Sequence, residues 1–196
     1  MKKVLFNSLF LLTGLIAMHT LAAQDNDKNE PKYKKTKAYS KSYTLSGSDR
    51  VKLNNQFGEL KITTWDKNEV KVDATIIGKS DDEQRAQEIL DRISINDGKE
   101  GNTVFYKTTF ADEKDNNGKD NKKERHHEGM EINYVVYLPS TTTLDADHQF
   151  GKMIMPDYKG EATISIKFGD LTAGRLSNTK EVNVEFSQAR IGQISG

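Results

Sequence analysis

Apolar and polar residues alternate with period two through much of the chain, and from Leu144 to Gly196 the alternation itself recurs every eighteen residues. Phe150, Phe168 and Phe186 mark the repeat; Gly151 and Gly169 follow the first two, Ser187 the third. Four residues before each aromatic stand Ala146, Ile164 and Val182, and two before stand His148, Ile166 and Val184. Three after come Met153, Leu171 and Ala189; five after, Met155, Ala173 and Ile191; eight after, Tyr158, Leu176 and Ile194. The positions between carry mostly Asp, Lys, Glu, Gln, Asn, Ser and Thr.

Alternation on both sides of a Phe-Gly step predicts a short strand before it and another after it, each burying every second side chain. The inward set slips from even to odd offsets across the step, as a bulge or tight bend at Gly allows. One such unit cannot bury its own apolar face, so units must stack, roughly 4.8 Å apart. A hexapeptide coil fails because Gly174 and Lys180 occupy positions that it needs apolar. The expected fold is therefore mainly β: a single-stranded β-solenoid or β-roll of short stacked strands, with an N-terminal strand-plus-helix cap.

An earlier stretch carries the same unit. Around Phe57 stand Leu53, Gly58, Leu60, Ile62 and Trp65 at matching offsets, and only Asn55 departs. The expected core is Phe57, Leu60, Ile62, Trp65, Phe150, Met153, Ile164, Ile166, Phe168, Leu171, Val182, Val184, Phe186 and Ile191, with glycine steps at Gly58, Gly151 and Gly169. Tyr39 to Leu45 predicts a first strand and Val70 to Ile76 another. Ser80 with Glu83 makes a capping box, and Ala86, Ile89, Leu90 and Ile93 form one stripe, so a helix is expected over about 81–93 as a cover for a face or end of the sheet. Ile93 to Ile95, Thr103 to Phe110 and Met130 to Leu138 predict further strands. The boundaries expected are a leader at 1–23, a polar tether at 24–38, a β-rich part at 39–140 with a mobile charged loop at 111–129, and the rungs at 141–196.

Composition adds an address. Lys2 and Lys3, an apolar run from Val4 to Ala17 and small residues at Ala22 and Ala23 have the form of a secretory signal, and the run is short for a bilayer span. Without the two leader lysines the chain has 27 basic against 29 acidic residues and no cysteine. The expectation is an exported, disulfide-free protein, periplasmic, surface-bound or secreted, with no membrane span once the leader is gone. The near-neutral balance argues against nucleic acid as a partner. Lys34, Lys35 and Lys37 form a small basic cluster that reads as a solvated run.

No nucleophile elbow, phosphate loop, zinc-protease helix or dinucleotide fingerprint is present. The charged insert holds Asp112, Asp115, Asp120, His126, His127 and Glu128, but a calcium loop starting at Asp115 fails because Asp120 stands where Gly is required. No metal and no cofactor are expected. Asp145 and Asp147 project on one face of a strand, roughly 7 Å apart, a spacing that could serve paired-carboxylate chemistry on glycans; a hydrated strand face is the simpler reading. His148 falls in an inward column, where a buried, satisfied ring is expected.

Asn55-Gln56-Phe57-Gly58-Glu59-Leu60-Lys61-Ile62-Thr63-Thr64-Trp65-Asp66 resembles the bacterial "putative adhesin" family of unknown function, as do Val70 to Ile76 followed by an acidic-capped helix, Tyr134-Val135-Val136-Tyr137-Leu138-Pro139, and the Phe-Gly rungs. The likeness runs from Tyr39 to Gly196. It implies a right-handed β-solenoid of the adhesin-like, auto-transporter-like kind, no known enzymatic activity, and a place in the periplasm or on the surface; it transfers no functional residues. The expected function is a non-catalytic binding or scaffold protein whose partner is an envelope protein, a glycan or another surface ligand. Alternatives are a periplasmic accessory in envelope stress or signalling and a glycan-active enzyme. The rungs stop in mid-turn at Gly196, so a truncated end or end-to-end self-association is also expected.

Overall fold

The computed structural model describes residues 30–112 and 127–196. The leader, the start of the tether and the centre of the charged insert, with Asp115, Asp120 and His126, lie outside them. Ten strands and one helix follow in the order β1 (Tyr33–Thr44), β2 (Arg50–Thr64), β3 (Glu69–Ser80), α1 (Glu83–Asp91), β4 (Ile93–Glu100), β5 (Thr103–Phe110), β6 (Glu128–Leu138), β7 (Thr143–Met155), β8 (Ala162–Leu176), β9 (Thr179–Glu185) and β10 (Gln188–Ile194). The described residues are mainly β, one ten-stranded sheet with neighbours β1-β3-β6-β2-β7-β8-β10, to which β5 adds at β2, β4 at β5 and β9 at β8.

The eighteen-residue spacing becomes parallel register. Leu53 lies beside Ala146, Ala146 beside Ile164, and Ile164 beside Val182; beyond the step Leu60 lies beside Met153, and Met153 beside Leu171. The step divides every long strand. The first half of β2 pairs with β5 and the second half with β6, while β7 runs along both. Leu53, Leu60, Ile62, Ala146, Met153, Ile164, Ile166 and Leu171 are buried in one cluster, with Val182, Val184 and Ile191 packed half-buried at its edge. The parity slip lets both halves face this common core. The 140/141 boundary does not separate two sheets, because β2 lies between β6 and β7.

Other expectations are corrected. The tether ends sooner, since β1 starts at Tyr33 and pairs antiparallel with β3 along its full length. Lys37 is no solvated residue: its Nζ donates to the Leu90 and Ile93 carbonyls, at 2.8 and 2.6 Å, where α1 ends and β4 begins. The helix cap is Asp82, which accepts from the Arg85 amide at 2.7 Å, while Ser80 closes β3 and its Oγ accepts from the Asp82 amide. Trp65 sits at the core's rim, half-exposed, stacked on Tyr137 at 5.3 Å with Nε1 donating to the Glu69 carbonyl. The helix covers the β1 and β3 side, seated so close to Gly78 that a Cβ there would lie 2.4 Å from the Ala86 carbonyl oxygen.

Candidate interaction surface

The largest correction concerns the four aromatics that define the repeat. Phe57, Phe150, Phe168 and Phe186 do lie one above another, with centroids 5.1, 5.1 and 5.2 Å apart and planes within 10°. They stand outside the core, not in it: Phe150 is 42% exposed, Phe168 44% and Phe186 79%, with Phe57 partly covered. The backbone gives the cause. All four have positive φ, between 49° and 60°, the left-handed region that side chains with a Cβ enter at a cost of about 1–2 kcal/mol. A left-handed residue breaks the alternation, so the ring leaves the inward column and projects toward solvent. Stacking each ring on the next returns about 0.5–1.5 kcal/mol per pair beyond area burial, which offsets that cost once several rungs are present.

The glycines after these aromatics answer a separate requirement. A Cβ on Gly151 would lie 1.8 Å from the Gly58 carbonyl oxygen, and one on Gly169 2.0 Å from that of Gly151. Successive bends nest backbone on backbone, and only hydrogen fits between them. Gly58 additionally has φ 134°, with a virtual Cβ 2.7 Å from the Ile132 carbonyl oxygen.

The result is an external aromatic spine. Phe110 closes one end, edge-on to Phe57 at 5.9 Å; at the other end one face of Phe186 is open. Lys167 Nζ lies 5.5 Å from the Phe168 ring centre and 3.3 Å from the Glu185 carboxylate. Because the faces are spent on each other, the spine shows solvent mainly ring edges.

Polar columns flank it. Lys52 reaches Asp145 at 3.5 Å, and Asn54 Nδ2 donates to Asp147 at 3.0 Å. Burial, with Asp145 beside it, raises the Asp147 carboxyl above the usual Asp range. The two carboxylates are thus tied to the rung beneath; these partners belong to the columns of the first rung, where the alignment of the last three does not show them. His148 is buried, with Nε2 3.1 Å from the Gly58 carbonyl oxygen, and burial lowers its pKa. Next to it in the column, Asn55 donates to the Ile132 carbonyl and accepts from Thr108, which also meets the Tyr134 hydroxyl. His127 is held by Asp81, through its amide and Nδ1 at 3.0 and 2.9 Å, and these bonds pull the Asp81 carboxyl down to about 2. Among the described residues no three His, Cys, Asp or Glu side chains gather as a metal site, and no helix is long and apolar enough to cross a membrane. A cavity of about 230 Å³ lies between α1 and the ends of β5 and β6, with Arg85 bonded across its rim to Glu128.

No family model matches the chain, and no curated protein does. Two solved structures are similar to it. One is described as a "putative cell adhesion protein" from Clostridium sporogenes, 13% identical over 82% of this chain and all of that one, with a TM-score of 0.38. The other is described as a "putative adhesin" from Bacteroides fragilis, 14% identical over 80% of this chain and 95% of that one, with a TM-score of 0.20.

Proposed function

We propose that the chain is an exported, non-catalytic, adhesin-like binding and scaffold protein of the bacterial cell envelope, its parallel rungs forming an open β-solenoid. The observation that carries this reading is the spine: four phenylalanines held outside the core by a backbone conformation that disfavours them. A row of exposed apolar rings on a rigid scaffold is a contact surface. Its chemistry favours protein over sugar, because a sugar ring docks on an aromatic face and the inner rings of the spine have both faces covered by their neighbours. The signal-like leader supplies the address, and the sequence resemblance agrees with it.

The test is in-cell photocrosslinking with a photoreactive phenylalanine analogue at position 168, followed by fractionation. One dominant envelope protein should be captured, from the periplasmic or surface fraction. Recovery of the chain in the cytoplasm, or no specific adduct, overturns the reading.

A further inference from the structure

The last rung differs from those beneath it in having a strand on one side only. Among the described residues β9 pairs with β8 alone, and so does β10. Ile164 and Ile166 are fully buried in β8, yet their column mates Val182 and Val184 in β9 are half-exposed. Leu176 is 1% exposed, whereas Ile194 above it is 51%. Phe186 presents the one free ring face of the spine. Each of these groups points where another rung would lie.

We propose that this edge is the interface of a two-fold homodimer, in which β9 of one copy pairs antiparallel with β10 of the other. A two-fold axis through the bend exchanges its two arms and reverses their direction, so both open strands are covered at once. Register follows from the parity slip. With the axis between residues 186 and 187, Val184 faces the partner's Ala189 and Val182 faces the partner's Ile191, inward against inward. On the outer surface Asn183 faces the partner's Arg190, with Glu181 and Glu185 two positions to either side of it. A slip of one residue would set Val182 against the partner's Arg190, and mismatched faces of that kind fix strand register. Opposite residues carry no like charges, and the partner's arginine lies among carboxylates, which is the charge complementarity an antiparallel pair uses.

A closed pair is favoured over a filament by the far ends of the sheet. The edge strands there, β1 and β4, are each antiparallel to their one neighbour; β1 carries Lys34, Lys35, Lys37 and Lys41, and β4 carries Asp97, Lys99 and Glu100, charged compositions that disfavour strand addition. Head-to-tail growth would need a matching parallel edge at that end, and isologous contact closes on itself.

The absence of native cysteine makes the test direct. The purified chain should sediment as a dimer, and Val182→Lys with Ile191→Lys should raise its dissociation constant at least tenfold while the circular dichroism stays that of a β protein. In N183C/R190C, mild oxidation should give a covalent dimer, because directly opposed residues of an antiparallel pair bring Cβ atoms about 4.5–5.5 Å apart, near the span of a disulfide. N183C/A189C, which reports the slipped register, should not crosslink. A monomer at tens of micromolar, a dimer indifferent to the two lysines, or crosslinking of the slipped pair in preference to the first would overturn the proposal.

Discussion

Phe57 and Phe186 stand at opposite ends of one row of rings, and their surroundings differ at every level. β2 is flanked on both sides, by β5 and β6 on one and β7 on the other, so Leu53 and Leu60 are fully buried. β9 and β10 are flanked on one side, and Val182, Val184 and Ile191 remain half-exposed. At the bend the first rung has Gly58, the last Ser187, whose Oγ accepts from the Gly169 amide at 2.9 Å and donates to the Glu185 carbonyl at 2.7 Å. The inner bends are locked by backbone nesting; the last is held by a side chain. A repeat therefore does not make its units energetically equal: position in the stack decides what each residue contributes.

The largest expected effect probes that nesting. Gly151→Ala would place a methyl 1.8 Å from a carbonyl oxygen held in the ladder, and forced overpacking of this kind costs about 1–3 kcal/mol or more. Ser187→Gly, at the same offset, loses two hydrogen bonds, one exposed and one only part-buried, whose groups water can satisfy, so it should cost about 0.5–1.5 kcal/mol in all. Urea unfolding should rank the two in that order, and equal midpoints would refute the difference between inner and outer bends.

The spine comes next. A buried Phe truncated to Ala costs about 3–5 kcal/mol, but Phe168 is 44% exposed and chiefly loses two stacking partners. Phe168→Ala should cost about 1–3 kcal/mol, from two pairs at about 0.5–1.5 each, and Phe186→Ala, with one partner, about half as much. Thermal denaturation reads both. A cost for Phe168→Ala as large as that of a core truncation would return the ring to the interior.

These two contrasts also mark how far the sequence could be read. The eighteen-residue period, the inward columns of Leu53, Ile164 and Leu171, and the slip of parity at the bend follow from side-chain alternation, a local property. The outward turn of the phenylalanines does not, because alternation alone assigns Phe150 to the same side as Ala146 and His148. A signal was present: inward sets at even offsets before the step and odd ones after it require one residue between them to leave the alternation. Lys37 was illegible for another reason. Its partners, Leu90 and Ile93, lie more than fifty residues away in sequence, and nothing in a lysine-rich run distinguishes a residue that caps a helix from one in water. The spine itself could be located by spacing, but its role as a surface needed the sign of φ.

The smallest effect divides the column two residues before the step, which reads Asn55, His148, Ile166 and Val184: polar in the first two rungs, apolar in the last two. Burial holds the His148 pKa below its ordinary value of 6.5, so between the folded and unfolded pKa values the unfolded chain binds more protons. His148 therefore leaves stability intact above about pH 6.5 and subtracts from it as pH falls below that value, by at most about 1.4 kcal/mol per pH unit. His148→Ile copies the residue of the next rung and leaves the Gly58 carbonyl without its ring partner, so the variant starts from lower stability at pH 7.5. The informative quantity is the slope between pH 7 and pH 5, compared between the two chains, which share every other titrating group. Denaturation midpoints of the native chain should decline across that interval and those of His148→Ile should decline less; parallel lines would mean that the imidazole titrates as freely in the fold as in the unfolded chain.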